Sequence, residues 1–158
     1  MNDILSPESY TYLLNLIIEY SPKILLGLIF LFVGNRAIKR AINILEKFLN
    51  NKKIDAIITT GGTGLTGRDI TPEALDEIAD KHIPGFGEMF RYISIKSVGT
   101  SSIQSRACAV LSNGKYVFAL PGSSGGVTDA WDGILKHQLD INHKPCNFVE
   151  LFPRLKEK

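Results

Sequence analysis

The run Ile24-Leu-Leu-Gly-Leu-Ile-Phe-Leu-Phe-Val33 holds no polar side chain, and it constrains the chain more than any other stretch. A helix that is apolar all round must be buried, in protein or in lipid. Helix is favoured here, because Pro22 is the one proline between Tyr10 and Leu49. Ser21-Pro22 reads as a break or as the first turn of a new helix. Length separates the two kinds of burial poorly. The uncharged stretch from Ile24 to Asn35 is about 18 Å long at 1.5 Å per residue, whereas a bilayer core takes about 20 residues. Extension back to Tyr10 reaches that length and brings in Glu19 and Lys23, which are spaced to pair along a helix.

Charge flanks the run asymmetrically. Arg36, Lys39, Arg40 and Lys47 follow it, while Asp3 and Glu8 precede it without a base. If the segment spans a membrane, this polarity keeps its basic side and everything downstream in the cytoplasm. A cleaved signal peptide is not expected, since no positive region precedes the run and no small-residue cleavage site follows it. The alternative is an amphipathic or buried helix, packed on its own domain or in an oligomer, with Ile38, Ala41, Ile42, Leu45 and Leu49 at helical spacing.

Composition changes abruptly after the helix. Residues 1–53 hold seven Lys/Arg against four Asp/Glu and two glycines, whereas residues 54–158 hold eleven against twelve and the other twelve glycines. The break at Asn50-Asn51-Lys52-Lys53 predicts a helical segment over 1–49, a junction over 50–53 and a second domain over 54–158. At 44% hydrophobic and 22% charged residues the chain is not disordered. A net charge of +2 is too small for a nucleic-acid footprint. Cys108 and Cys146 form no CxxC and read as buried or incidental thiols of a reducing compartment. His82, His137 and His143 share no ligand spacing and read as surface residues, so no metal ligands are assigned.

In the second piece, Ile54-Asp-Ala-Ile-Ile-Thr-Thr60 reads as a buried parallel strand ending in Gly61-Gly62-Thr63-Gly64. A helix is predicted to start at Thr71-Pro72-Glu73, with Thr71 as N-cap, Pro72 at N1 and Glu73 in the positive first turn. Strand, glycine loop and helix in that order suit an anion. Gly62-Thr-Gly-Leu-Thr-Gly67 matches the dinucleotide spacing letter for letter. Thr71-Pro72 delays the helix, however, so a dinucleotide site is not expected. Phe86-Gly-Glu-Met-Phe-Arg-Tyr-Ile93 reads as a short helix with Met89, Phe90 and Ile93 on one side. Asn113-Gly114 signals a hairpin between Ala107–Leu111 and Tyr116–Leu120. The second hairpin strand runs into Pro121-Gly122-Ser123-Ser-Gly-Gly126, another loop able to present N–H groups and hydroxyls. A helix follows through Val127, Ala130, Trp131, Ile134, Leu135 and Leu139. Two glycine loops thus stand at strand ends, where open α/β sheets bind ligands. Arg106 reads either as a phosphate partner or as a structural ion-pair partner.

Five motifs occur in order: Thr59-Thr-Gly-Gly-Thr-Gly-Leu-Thr-Gly-Arg-Asp-Ile-Thr-Pro-Glu-Ala-Leu75, Ile83-Pro-Gly-Phe-Gly-Glu-Met-Phe-Arg91, Gly99-Thr-Ser-Ser-Ile-Gln-Ser-Arg-Ala107, Phe118-Ala-Leu-Pro-Gly-Ser123 and Lys144-Pro-Cys-Asn-Phe148. Together they closely resemble the MoaB/MogA molybdopterin-binding family of molybdenum cofactor biosynthesis. The resemblance implies a three-layer α/β/α fold, a trimer or hexamer, and adenylyl transfer from Mg-ATP to the phosphate of molybdopterin. It places Gly61, Gly62, Thr63 and Gly64 in the binding loop and Asp69 at the catalytic acidic position. Thr71, Pro72 and Glu73 match the following helix start. Ser105, Arg106 and Pro121-Gly122-Ser123 match further pocket segments. Family members begin with a βαβ portion carrying a central strand and a second functional aspartate, and neither is visible here. The expected fold is therefore truncated at its N-terminus, with a mostly parallel sheet left open. In place of the missing portion, Tyr20–Arg40 resembles the first pore-domain helix of small-conductance mechanosensitive channels. No pore helix or soluble β-domain of those channels follows, so a channel is not implied. The expected functions are molybdopterin binding with adenylyl transfer, a non-catalytic pterin or nucleotide binder, or a membrane-anchored interaction module.

Overall fold

The computed structural model describes residues 7–155 and residue 157. Asp3 lies outside the described residues, as does the side chain of Glu8. The chain divides into two compact units, Met1–Arg36 and Ala37–Lys158.

The first unit is the larger part of α1, a 43-residue helix over Pro7–Leu49. Pro22 sits inside α1, so Ser21-Pro22 does not break it. Every side chain from Ile24 to Val33 is exposed, Phe30 by 75%. Lys23 Nζ donates to Glu19 Oε1 at 3.2 Å and lies 4.8 Å from the centre of the Tyr20 ring. Among the described residues of this unit, none of the apolar run is buried. Tyr10–Leu49 is long and apolar enough to cross a membrane.

The second unit begins inside the helix, at Ala37. Leu45 and Leu49 are buried against Ile57, Leu75, Val110, Val117 and Ala119. This end of α1 thus belongs to the core of the α/β unit. After it come β1 (Ala56–Thr60), α2 (Thr71–Ile78), β2 (Lys81–His82) and α3 (Pro84–Val98), then a 3₁₀ segment (Gly99–Gln104). Next are β3 (Cys108–Ser112), β4 (Lys115–Leu120) and α4 (Ser124–Ala130). A π-helical turn (Trp131–Leu135) links α4 to α5 (Lys136–Gln138), and a second 3₁₀ segment covers Val149–Arg154.

The sheet runs β1-β4-β3-β2. Only β1 and β4 pair in parallel, while β3 pairs antiparallel with both β4 and β2. The sheet is therefore mixed rather than mostly parallel, because the Asn113-Gly114 turn makes neighbours of β3 and β4. Asn113 and Gly114 adopt φ of 49° and 69°, as a tight hairpin turn of this kind requires. Period-two alternation splits β4 between two layers. Tyr116, Phe118 and Leu120 face α3, α4 and the C-terminal aromatics, whereas Val117 and Ala119 face α2 and the end of α1. Helices on both faces give the expected three-layer α/β/α arrangement. Among the described residues β1 has β4 as its single neighbour, so it is an edge strand and not a buried one. Its Ile58 is accordingly left 43% exposed.

Other local expectations also shift. The short helix around Phe86 is the 15-residue α3, with Phe86 and Phe90 inward and Met89 outward. Cys146 is exposed, and Cys108 is half-buried with its thiol pushed up to about 11 by burial.

Candidate functional site

The two glycine loops meet because β1 and β4 are parallel neighbours and end side by side. The Gly61 N–H donates to Leu120 O at 2.9 Å, and the Thr60 hydroxyl donates to Pro121 O at 2.9 Å. A Cβ at Gly122 would stand 3.3 Å from Gly61 Cα, so small residues let the loops approach. Gly61 and Gly62 both adopt positive φ, 94° and 70°, which turns the backbone sharply out of β1.

Between the loops lies a cleft of about 500 Å³. Nine of the predicted residues line it: Gly61, Gly62, Thr63, Gly64, Asp69, Ser105, Pro121, Gly122 and Ser123. Leu65, Thr66 and Gln104 line it as well, and sequence reasoning did not single them out. Thr66 could have been found, because its hydroxyl and N–H both donate to Asp69 Oδ2, at 2.5 and 2.9 Å. A threonine three residues before an aspartate is the spacing of a local side-chain turn. These bonds hold the Asp69 carboxyl below its ordinary value. Among the described residues, the N–H groups of Gly62, Thr63, Gly122 and Ser123 donate to no protein group. They are the donors a bound anion would meet.

The other four predicted residues, Thr71, Pro72, Glu73 and Arg106, do not line the cleft. Thr71 is not the N-cap: Ile70 holds that position, and the Thr71 hydroxyl reaches back to Gly61 O at 2.8 Å. Pro72 is buried in the first turn of α2. Arg106 Nε donates to Gly64 O at 2.7 Å and its Nη2 to Asp69 O at 2.6 Å, while Nη1 pairs with the Glu73 carboxylate. Partial burial pushes Glu73 up, but the Arg106 hydrogen bond and charge outweigh this and leave it below the usual carboxylate value. Arg106 also borders a neighbouring cavity of about 550 Å³, shared with His82, Arg91 and Cys108. No group of three or more His, Cys, Asp or Glu suited to a metal occurs among the described residues.

The family described as a probable molybdopterin binding domain matches residues 35–141, which contain the whole cleft and the buried end of α1. The chain belongs to this family. Molybdenum cofactor biosynthesis protein B of Escherichia coli (strain K12) is 45% identical over 104 residues, covering 66% of this chain and 59% of that protein. Its namesake in Staphylococcus aureus (strain Mu50) is 49% identical over 88 residues, covering 55% and 52%. The crystal structure of a molybdenum cofactor biosynthesis protein B superposes with a TM-score of 0.63 at 34% identity, covering 77% of this chain and 68% of that one. The chain thus spans between half and three fifths of the length of these two curated relatives. A second family, the conserved transmembrane helix of mechanosensitive ion channels, matches residues 8–57 and overlaps the molybdopterin binding domain at its start.

Proposed function

We propose that this chain acts in molybdenum cofactor biosynthesis, holding molybdopterin between the two glycine loops and presenting its phosphate to Mg-ATP. The observation that carries this reading is the convergence of the Gly61–Gly64 and Pro121–Ser123 loops with Asp69 on one cleft. The reaction is adenylyl transfer. A molybdopterin phosphate oxygen attacks the α-phosphorus of ATP, the bond from the α-phosphorus to the bridging oxygen breaks, and pyrophosphate leaves. Catalysis of this kind is positioning plus stabilisation of charge on phosphoryl oxygens. Unused N–H groups of Gly62, Thr63, Gly122 and Ser123 supply fixed dipoles for those oxygens. Asp69, whose Oδ2 takes both Thr66 donors, would hold the magnesium that arrives with ATP. A single carboxylate suits that ion, which completes its shell with phosphates and water.

One observation favours binding without turnover as the second reading. Among the described residues, Asp69 is the single carboxylate lining the cleft, and none of them places a second acid there to orient the substrate. Pyrophosphate release measured with molybdopterin, Mg²⁺ and ATP separates the two. Release that depends on Asp69 supports transfer, saturable molybdopterin binding without release supports the second reading, and no binding overturns both.

We further infer that Tyr10–Val33 lies in a bilayer, with the α/β unit on the cytoplasmic side. Those 24 residues reach about 36 Å as a helix, against a hydrocarbon core of about 30 Å. Arg36, Lys39 and Arg40 then fall on the cytoplasmic flank. Resistance of the full chain to alkaline carbonate extraction is the expected result, and release into the soluble fraction would contradict it.

A further inference from the structure

Arg106 reaches the glycine loop from outside it, and its donors are turned away from the cleft. Its backbone N–H donates to Thr63 O at 2.9 Å, Nε to Gly64 O and Nη2 to Asp69 O, and Nη1 pairs with Glu73 on α2. One residue thus fastens three carbonyls of the loop and the first turn of the helix that follows. The loop has little else to hold its shape. Gly61, Gly62, Gly64 and Gly67 offer no side chains, and Leu65, Gly67 and Arg68 are exposed. Its other ties include the Gly61 N–H to Leu120 O, the Thr66–Asp69 turn, a Gly64 backbone bond to Asp69, and the bonds from Thr71 to Gly61 and Gly62.

We propose that Arg106 is the positioning residue of this site, a clamp that fixes the free N–H groups of the glycine loop and does not itself contact the bound anion. It deepens the reading of the cleft given above and rests on it for the identity of the ligand. The fork geometry of the guanidinium carries the argument. A planar group can serve two carbonyls and a carboxylate at once, whereas an ammonium of equal charge cannot. With Arg106 satisfied by Glu73 and backbone, the described residues that line the cleft offer the anion uncharged donors. Its affinity then depends on how well those donors are held in place.

The test separates fork from charge. In the full chain, Arg106→Lys keeps the charge and Arg106→Gln removes it. If Arg106 is the clamp, both variants weaken molybdopterin binding alike, on the order of tenfold to a hundredfold, the worth of one hydrogen bond to a charged group. Full affinity in Arg106→Lys beside a loss in Arg106→Gln would make Arg106 an anion contact and overturn the proposal. A second readout needs no ligand. Amide hydrogen exchange at Thr66, Asp69 and Thr71 should quicken about tenfold or more in both variants, with the amides of Val117 and Phe118 in β4 unchanged. Unchanged loop exchange, or equal acceleration in loop and β4, would show that Arg106 does not specifically order the loop. Failure of the wild-type chain to bind molybdopterin would remove the ligand reading while this exchange result still decides the clamp.

Discussion

The end of α1 should be as necessary to the α/β unit as any strand, and Leu45 is the residue to perturb. Leu45 and Leu49 are each 6% exposed and lie on Val110, Val117 and Ala119, the face of the hairpin opposite the aromatic layer. Truncation of a buried leucine to alanine removes about 2–5 kcal/mol, the spread reflecting how far the site collapses. Taking about 3 kcal/mol, and a urea slope of about 2 kcal/mol per M, Leu45→Ala should lower the unfolding midpoint by about 1.5 M. Ile44 is the control, since it is 56% exposed on the same helix. Ile44→Ala should move the midpoint by no more than about 0.3 M, the range of ordinary surface changes. The assay is urea unfolding of a fragment spanning residues 37–158, followed through Trp131 fluorescence and near-ultraviolet circular dichroism. A fragment starting at Asn50 loses both leucines together. Its deficit of about 4–10 kcal/mol is comparable to the whole stability of a typical domain, and it should show no cooperative transition. Equal midpoints for the fragments starting at 37 and at 50 would falsify the assignment of Ala37–Leu49 to this core.

Gly62→Val places a branched side chain at φ 70° and drives its Cβ into the Thr71 hydroxyl; molybdopterin affinity measured by calorimetry should fall at least about tenfold even where the variant stays folded. Asp69→Ala should abolish any pyrophosphate release, and residual release equal to wild type would remove Asp69 from the reaction. Glu73 and Asp69 are held below their unfolded values of about 4.3 and 3.9. Their contribution is therefore present above those values and is lost as pH falls through the lower folded ones. Urea midpoints should drop between pH 5 and acid conditions, and Glu73→Gln should remove part of that drop; an identical pH profile in the variant would refute its share.

The glycine loops were legible in sequence because their chemistry is local. Gly61-Gly62 needs positive φ, Asn113-Gly114 needs a tight turn, and both demands select residue types that can be read one at a time. What surrounds the loops was not legible in this way. Thr71 has a cap-forming side chain, yet it is the first residue inside α2, and its hydroxyl donates back to Gly61 O. Arg106 offered two readings from sequence, and its partners, Gly64, Asp69 and Glu73, lie more than thirty residues away in the chain. The partner of the helix end was left open for a related reason. Ile38, Ala41, Ile42, Leu45 and Leu49 make an apolar stripe that would suit a sheet, an oligomer or a membrane surface equally. Only Val110, Val117 and Ala119, brought in by the hairpin, decide between them.

That stripe also explains how one helix satisfies two families whose matches overlap over residues 35–57. A sheet asks of a covering helix only that apolar side chains recur at i, i+3, i+4 and i+7 on one face. It sets no condition on what precedes the first contact. Continuing a helix backwards requires no turn residues, and the backbone bonds simply extend, so a junction inside a helix disturbs neither side. Among the described residues, no side chain before Ala37 belongs to either buried cluster of the α/β unit. Replacing Ile24–Val33 with a helical sequence rich in Glu, Lys and Ala should therefore leave the urea midpoint of the α/β unit within about 0.3 M of the original, the range of ordinary surface changes. The same replacement should abolish carbonate-resistant membrane association, because charged residues at a bilayer centre each carry a penalty of about 3 kcal/mol. A shifted midpoint would mean that the apolar run stabilises the α/β unit directly, and that its exposed side chains are the surface of a soluble assembly rather than of a membrane span.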